Sequence, residues 1–193
     1  MPAKFKPDPD EILKAEYDYI AHTVYQANED RSRVASFYFV TVGSLVAAIL
    51  GSIFSTNDLK NVSLAFSGLF VVLTILGALT LAQLARLRAA WHESVQAMNQ
   101  IKDFYIKNNE AIEPAFKWRL RSLPPTDKKF SIANLMAVEV TLLGAITSTA
   151  AMYFLLTAFG NIEWWGWALL LVTLVVTYIV LWAWYKHLLV DNQ

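Results

Sequence analysis

Residues 34–57 read VASFYFVTVGSLVAAILGSIFSTN, and none of these side chains is charged. A helix of about 20 apolar residues crosses the ~30 Å hydrocarbon core of a bilayer, so this stretch is a transmembrane helix. The next uncharged run, residues 61–85 (NVSLAFSGLFVVLTILGALTLAQLA), is of similar length. They are joined by Asn57, Asp58, Leu59, Lys60 and Asn61, a short turn that closes an antiparallel hairpin. The pattern repeats further on. Residues 130–162 carry a single charge, Glu139, and residues 164–185 carry none, with Gly160 to Glu163 as the turn.

The sequence therefore predicts an all-α integral membrane protein with four transmembrane helices, the first two extended into a cytoplasmic helical stalk. It divides into a cytoplasmic N-terminal helix (1–33), a first transmembrane hairpin (34–85), a cytoplasmic helix and loop (86–129), a second hairpin (130–185) and a short tail (186–193). Asp8, Pro9 and Glu11 form a helix start: a capping side chain, a proline suited to the first turn and an acid three residues after the cap. No Gly or Pro follows from Asp10 until Gly43, so one helix is expected to run unbroken into the first span. Ile12, Tyr19 or Ile20, and Val24 give it an apolar face at helical spacing. The second span likewise has nothing to stop it before about Lys107. Leu87, Trp91, Val95, Met98, Ile101 or Lys102, and Tyr105 repeat every three or four residues, and this face is expected to pack on the first. Pro114, Pro124 and Pro125 end that pattern. Between them Phe116, Trp118 and Leu120 alternate with Lys117, Arg119 and Arg121, as in a short amphipathic segment at a membrane surface.

Composition agrees. Of 193 residues, 56% are hydrophobic, above the roughly 45–50% of soluble domains. Net charge is +0 with 16 Lys and Arg against 16 Asp and Glu, so no polyanionic partner is implied. The 16 basic residues are nonetheless segregated: all except Lys60 lie on the side opposite the two short turns. The positive-inside rule makes that side cytoplasmic and places both termini there, in a multi-pass protein of the inner (plasma) membrane. Trp165 and Trp182 are separated by about 25 Å of helix, the distance between two interfacial aromatic belts. The chain has no cysteine, which removes disulfides, thiolate metal sites and a cysteine nucleophile. The histidines, His22, His92 and His187, are scattered, and no P-loop, glycine-rich fingerprint or nucleophile–base pattern is present. Neither a metal nor a cofactor nor an enzymatic activity is implied.

Two groups of residues carry candidate function. Glu139 is the only ionisable group inside a span, and intramembrane acids normally face a bundle interior, water or a partner. On the same helix Asn134, Thr141 and Ser148 share one face and are pore or ion candidates with it. A structural role competes: Glu139 lies about 13 Å past Phe130, within reach of headgroups or of Lys128, Lys129 or Arg33, and small polar residues are common between membrane helices. Arg31, Arg33, Arg86 and Arg88 converge at the cytoplasmic end of the first hairpin. They either anchor the helices to lipid phosphates or hold a phosphate-bearing ligand. Gly43, Ala47 and Gly51 form a ladder of small residues that permits close approach of the second span or of another copy.

The acidic N-terminal helix, the two-span hairpin and the long amphipathic helix containing Leu87-Arg88-Ala89-Ala90-Trp91-His92-Glu93 resemble the SLATT group of small bacterial membrane effectors. The resemblance covers residues 1–108. It implies a membrane-damaging pore in a nucleotide-signalling antiphage system, with a nucleotide or oligonucleotide signal, or the enzyme that makes it, as partner. The expected function is a homo-oligomeric, ion-conducting or membrane-disrupting pore in the lipid bilayer, gated through the cytoplasmic helices. A non-conducting scaffold and a Glu139-dependent proton-coupled transporter are the alternatives.

Overall fold

The computed structural model describes residues 8–52, 59–160 and 162–190. They form four long helices, α1 (Pro9–Ser52), α2 (Leu59–Asn108), α3 (Ile132–Phe159) and α4 (Trp164–Val190), with 3₁₀ turns at Glu110–Ala115 and Leu120–Ser122. Each long helix contains a stretch apolar enough to cross a membrane, the architecture of a multi-pass membrane protein. Two of the residues assigned from sequence to the first turn, Asn57 and Asp58, lie outside the described residues. The rest of that turn, Leu59 to Asn61, already belongs to α2.

Local chemistry sets the helix limits. The Asp8 carboxylate accepts from the Asp10 amide at 3.1 Å, capping α1. Ser131 caps α3, its hydroxyl accepting from the Asn134 amide at 3.2 Å. Just before that cap, Phe130 sits at φ 58°, an uncommon conformation for a side chain of its size, and turns the chain into α3. Gly160 ends α3 at φ 149°, where a Cβ would be strained. The basic segment after α2 is largely extended rather than helical, because Pro114 and the Pro124-Pro125 pair leave room only for single 3₁₀ turns.

Consecutive helices are antiparallel, and α2 is central: it packs on α1, α3 and α4, whereas α1 and α4 do not pack on each other among the described residues. The helices meet around Tyr38, which is 1% exposed. A Cβ placed on Gly77 of α2 would lie 2.5 Å from its Oη, and one on Gly144 of α3 would lie 2.9 Å from Leu181 Cδ1 of α4. At Gly77 the buried tyrosine opposite fills the space a side chain would need, whereas at Gly144 the nearest atom is a terminal methyl of Leu181. Leu73, Leu81, Leu84, Ala137 and Val140 complete a core with essentially no exposure. Three hydroxyl contacts tie the bundle: Ser67 Oγ donates to the Ala151 carbonyl at 2.9 Å, Thr74 meets Thr147 at 3.0 Å, and Ser148 meets Thr177 at 3.1 Å. Such bonds average about 0.6 kcal/mol between membrane helices, so packing rather than polarity holds the bundle.

Gly43, Ala47 and Gly51 face away from the bundle; they are exposed, and a Cβ at Gly43 or Gly51 would meet nothing within 4 Å. Their ladder is therefore not the α1–α2 contact. Outside the apolar stretches α1 and α2 continue side by side. Leu13 and Tyr17 share a groove with Ile101 and Tyr105. Ile20 and Ala27 of α1 and Ala89, Asn99 and Ile106 of α2 are buried there, while Ile12 and Tyr19 point outward at 53% and 66% exposure. The inward face of α1 thus runs through Ile20 rather than Tyr19.

Candidate functional site

Arg31 and Arg33 are two residues apart on α1, as are Arg86 and Arg88 on α2. Residues at that spacing lie on nearly opposite sides of a helix, so only one of each pair can face the neighbouring helix. Arg31 continues the buried register of Ala27, Ala35 and Tyr38, and Arg88 that of Leu81 and Leu84. Both arginines are 6% exposed, whereas Arg33 and Arg86 are exposed. The structure therefore separates the four candidate arginines into an inner and an outer pair.

The acids nearby belong to the outer pair. Arg33 bonds Glu29 at 2.9 Å and lies 3.7 Å from Asp30. Neither Arg31 nor Arg88 is in an ion pair among the described residues. Arg31 makes one hydrogen bond, from Nη2 to Asn28 Oδ1 at 3.0 Å, and its buried Nε has no partner. Arg88 donates from Nε to the Thr126 carbonyl at 3.1 Å and from Nη2 to the Pro125 carbonyl at 3.4 Å, pinning the loop before α3. Its guanidinium carbon sits 4.5 Å from the centre of the Trp91 ring. The buried phenol of Tyr185 on α4 lies within electrostatic reach of both arginines.

Burial, reinforced by the neighbouring Arg88, lowers the Arg31 pKa, and burial lowers that of Arg88. An arginine stays protonated through such shifts, so two like charges occupy this corner. The effective cost of removing an ion from water is several kcal/mol; here carbonyls and a ring face offset part of it, without a counter-charge. His92 is also depressed, by burial and then by Arg88, which favours its neutral form at pH 7.

On α3, Glu139 falls on a different side of the helix from Asn134, Thr141 and Ser148. Thr141 is buried and its hydroxyl returns to the Ala137 carbonyl at 2.7 Å. Ser148 is half-buried against Thr177, and Asn134 sits half-buried in the first turn. Glu139 is exposed, in a stripe with Leu135, Leu142 and Ile146, which are 46%, 49% and 48% exposed. It lies about 10 Å along the axis from Ile132, the first residue of α3. Apolar residues surround it on a face left exposed by the other helices among the described residues. Among the described residues no group of three His, Asp or Glu side chains is placed to hold a metal ion. Comparison with known protein families, with curated proteins and with solved structures gives no match.

Proposed function

We propose that the protein is a homo-oligomeric pore of the plasma membrane whose conducting path runs between copies, with Glu139 at its wall. The observation that carries this reading is the outward-facing Glu139. An acid inside a membrane span costs roughly 2.5–3.5 kcal/mol on insertion scales and is normally covered by protein or water. Among the described residues no other helix covers it, so a second copy is its natural cover. The bundle interior supports the same reading from the other side: Tyr38, Leu73, Leu81, Val140 and Thr141 close it, each no more than 1% exposed, leaving no path through one copy. The outward ladder of Gly43, Ala47 and Gly51 offers a further face for close approach.

In this reading the paired ends of α1 and α2 form the cytoplasmic stalk and gate the pore. The resemblance of residues 1–108 to SLATT effectors adds antiphage nucleotide signalling as the setting. The proposed orientation is checked by labelling. The chain has no native cysteine, so single cysteines report cleanly. A cysteine at Lys60 is expected to react with an impermeant thiol reagent added to intact cells, and one at Asn109 is not; the opposite result inverts the topology.

Conduction is tested in liposomes under a KCl gradient. The parent is expected to pass cations in preference to anions, since a ring of carboxyl groups attracts cations. Glu139→Gln, which keeps the size and removes the charge, is expected to move the reversal potential toward zero at equal protein density. An unchanged reversal potential rejects Glu139 as a pore residue. Absence of any conductance favours a non-conducting scaffold instead.

A further inference from the structure

We propose that Arg31 and Arg88 together hold a phosphate-bearing anion, at the level where α1 and α2 leave their apolar stretches. Three observations converge on this corner of the fold. First, two guanidiniums are buried to 6% exposure and coupled electrostatically, with no carboxylate paired to either among the described residues. Second, their donors are not used up. Arg31 commits Nη2 alone and leaves a buried Nε without a partner, and Arg88 commits Nε and Nη2 and leaves Nη1. Third, the acids in reach along α1, Glu29 and Asp30, bond the exposed Arg33 instead.

A buried pair of positive charges calls for an anion, and the geometry narrows its chemistry. Guanidinium presents a planar fork of N–H groups that matches the oxygens of phosphate better than a point-like ion. The Trp91 face holds the Arg88 plane in place. The position is equally suited to two sources of the same group. One is the phosphodiester of an anionic lipid, which resides at the end of an apolar stretch; the other is a soluble phosphate arriving from the aqueous side. Arg33 and Arg86, exposed on the outer side of the same helices, are general headgroup contacts and not part of the site.

The test uses the full-length protein in neutral detergent. Native mass spectrometry compares retention of phosphatidylglycerol with that of phosphatidylcholine, and thermal melting compares added inorganic phosphate with chloride at equal ionic strength. Retention of phosphatidylglycerol alone assigns a lipid phosphodiester; a rise in melting temperature with phosphate assigns a soluble one; either supports the site. Arg31→Gln and Arg88→Gln are each expected to weaken that binding about tenfold to a hundredfold, the range for losing hydrogen bonds to a charged partner. Arg33→Gln and Arg86→Gln are expected to leave it unchanged. Should a buried-site variant fail to fold, the parent measurements decide alone. The inference is overturned if the parent shows neither lipid preference nor phosphate stabilisation, or if the outer variants lose as much binding as the inner ones.

Discussion

Gly77→Leu is expected to destabilise the bundle by about 3 kcal/mol, the upper end of the usual penalty for overfilling a packed core. The first atom of the new side chain already lies 2.5 Å from Tyr38 Oη and 2.9 Å from its Cζ. A tyrosine at a surface would swing aside. Here it is 1% exposed, and on its far side Gly144 and Leu181 close the space. The leucine must therefore push α1 off α2. Unfolding in mixed detergent micelles, followed by helical signal or by steric trapping, measures the loss. Gly68→Leu is the control, on the same helix but with nothing within 4 Å of its Cβ, and it is expected to be near neutral. A second check follows from the identity of the clashing atom. Tyr38→Phe removes Oη and leaves Cζ, so it should recover part of the loss in Gly77→Ala and little in Gly77→Leu. Equal stability of the Gly77 and Gly68 leucine variants would show that α1 and α2 do not close on this pair.

Glu139→Leu is expected to produce two opposite effects of similar size. Exchanging an acid for leucine in a membrane helix favours insertion by about 3 kcal/mol on translocon scales. On an outward stripe already made of Leu135, Leu142 and Ile146, the new side chain needs no repacking within the chain. Insertion of the α3 segment, read by glycosylation mapping, should therefore improve. Assembly should fail, because the polar group that makes the face prefer protein to lipid has gone. Chemical cross-linking in native membranes reads that second effect as a loss of oligomer bands at unchanged expression. If insertion improves and the oligomer persists, Glu139 is not an interface residue and the pore reading loses its principal support.

The helices were readable in the sequence because their signals are strong and local. Uncharged runs, the Asp8 cap and the absence of Gly or Pro between Asp10 and Gly43 define α1 without reference to anything distant. The arginine site was half readable. Two-residue spacing within Arg31/Arg33 and Arg86/Arg88 guarantees that only one of each pair turns inward, and extending the registers of Tyr38 and Leu84 selects Arg31 and Arg88. Spacing also assigns the nearby acids: Glu29 and Asp30 are closer in sequence to Arg31, but they stand four and three residues before Arg33, the helical separations at which side chains meet. What spacing does not reveal is that, among the described residues, no acid from another element comes to meet Arg31 or Arg88. The direction of Glu139 was hidden for a different reason. α3 is apolar all round, so hydrophobic periodicity has no face to report. In the structure the inward side is marked by small residues, Ala137, Gly144, Ala145 and Ala151, which let the neighbours approach. Glu139 stands off that line.

The length of α2 has a mechanical consequence. Its 50 residues form one uninterrupted rod, about 75 Å from end to end at 1.5 Å per residue. Gly77 lies about 46 Å from Asn108 along it, so a tilt of about 5° at the tyrosine contact swings the far end through about 4 Å. The same lever works in reverse. A displacement of a few ångströms at the charged end, spread over the rod, becomes a rotation of a few degrees where α2 touches its three neighbours. The buried arginine corner lies between these two points, close to the place where a bound anion would stiffen or free the pivot.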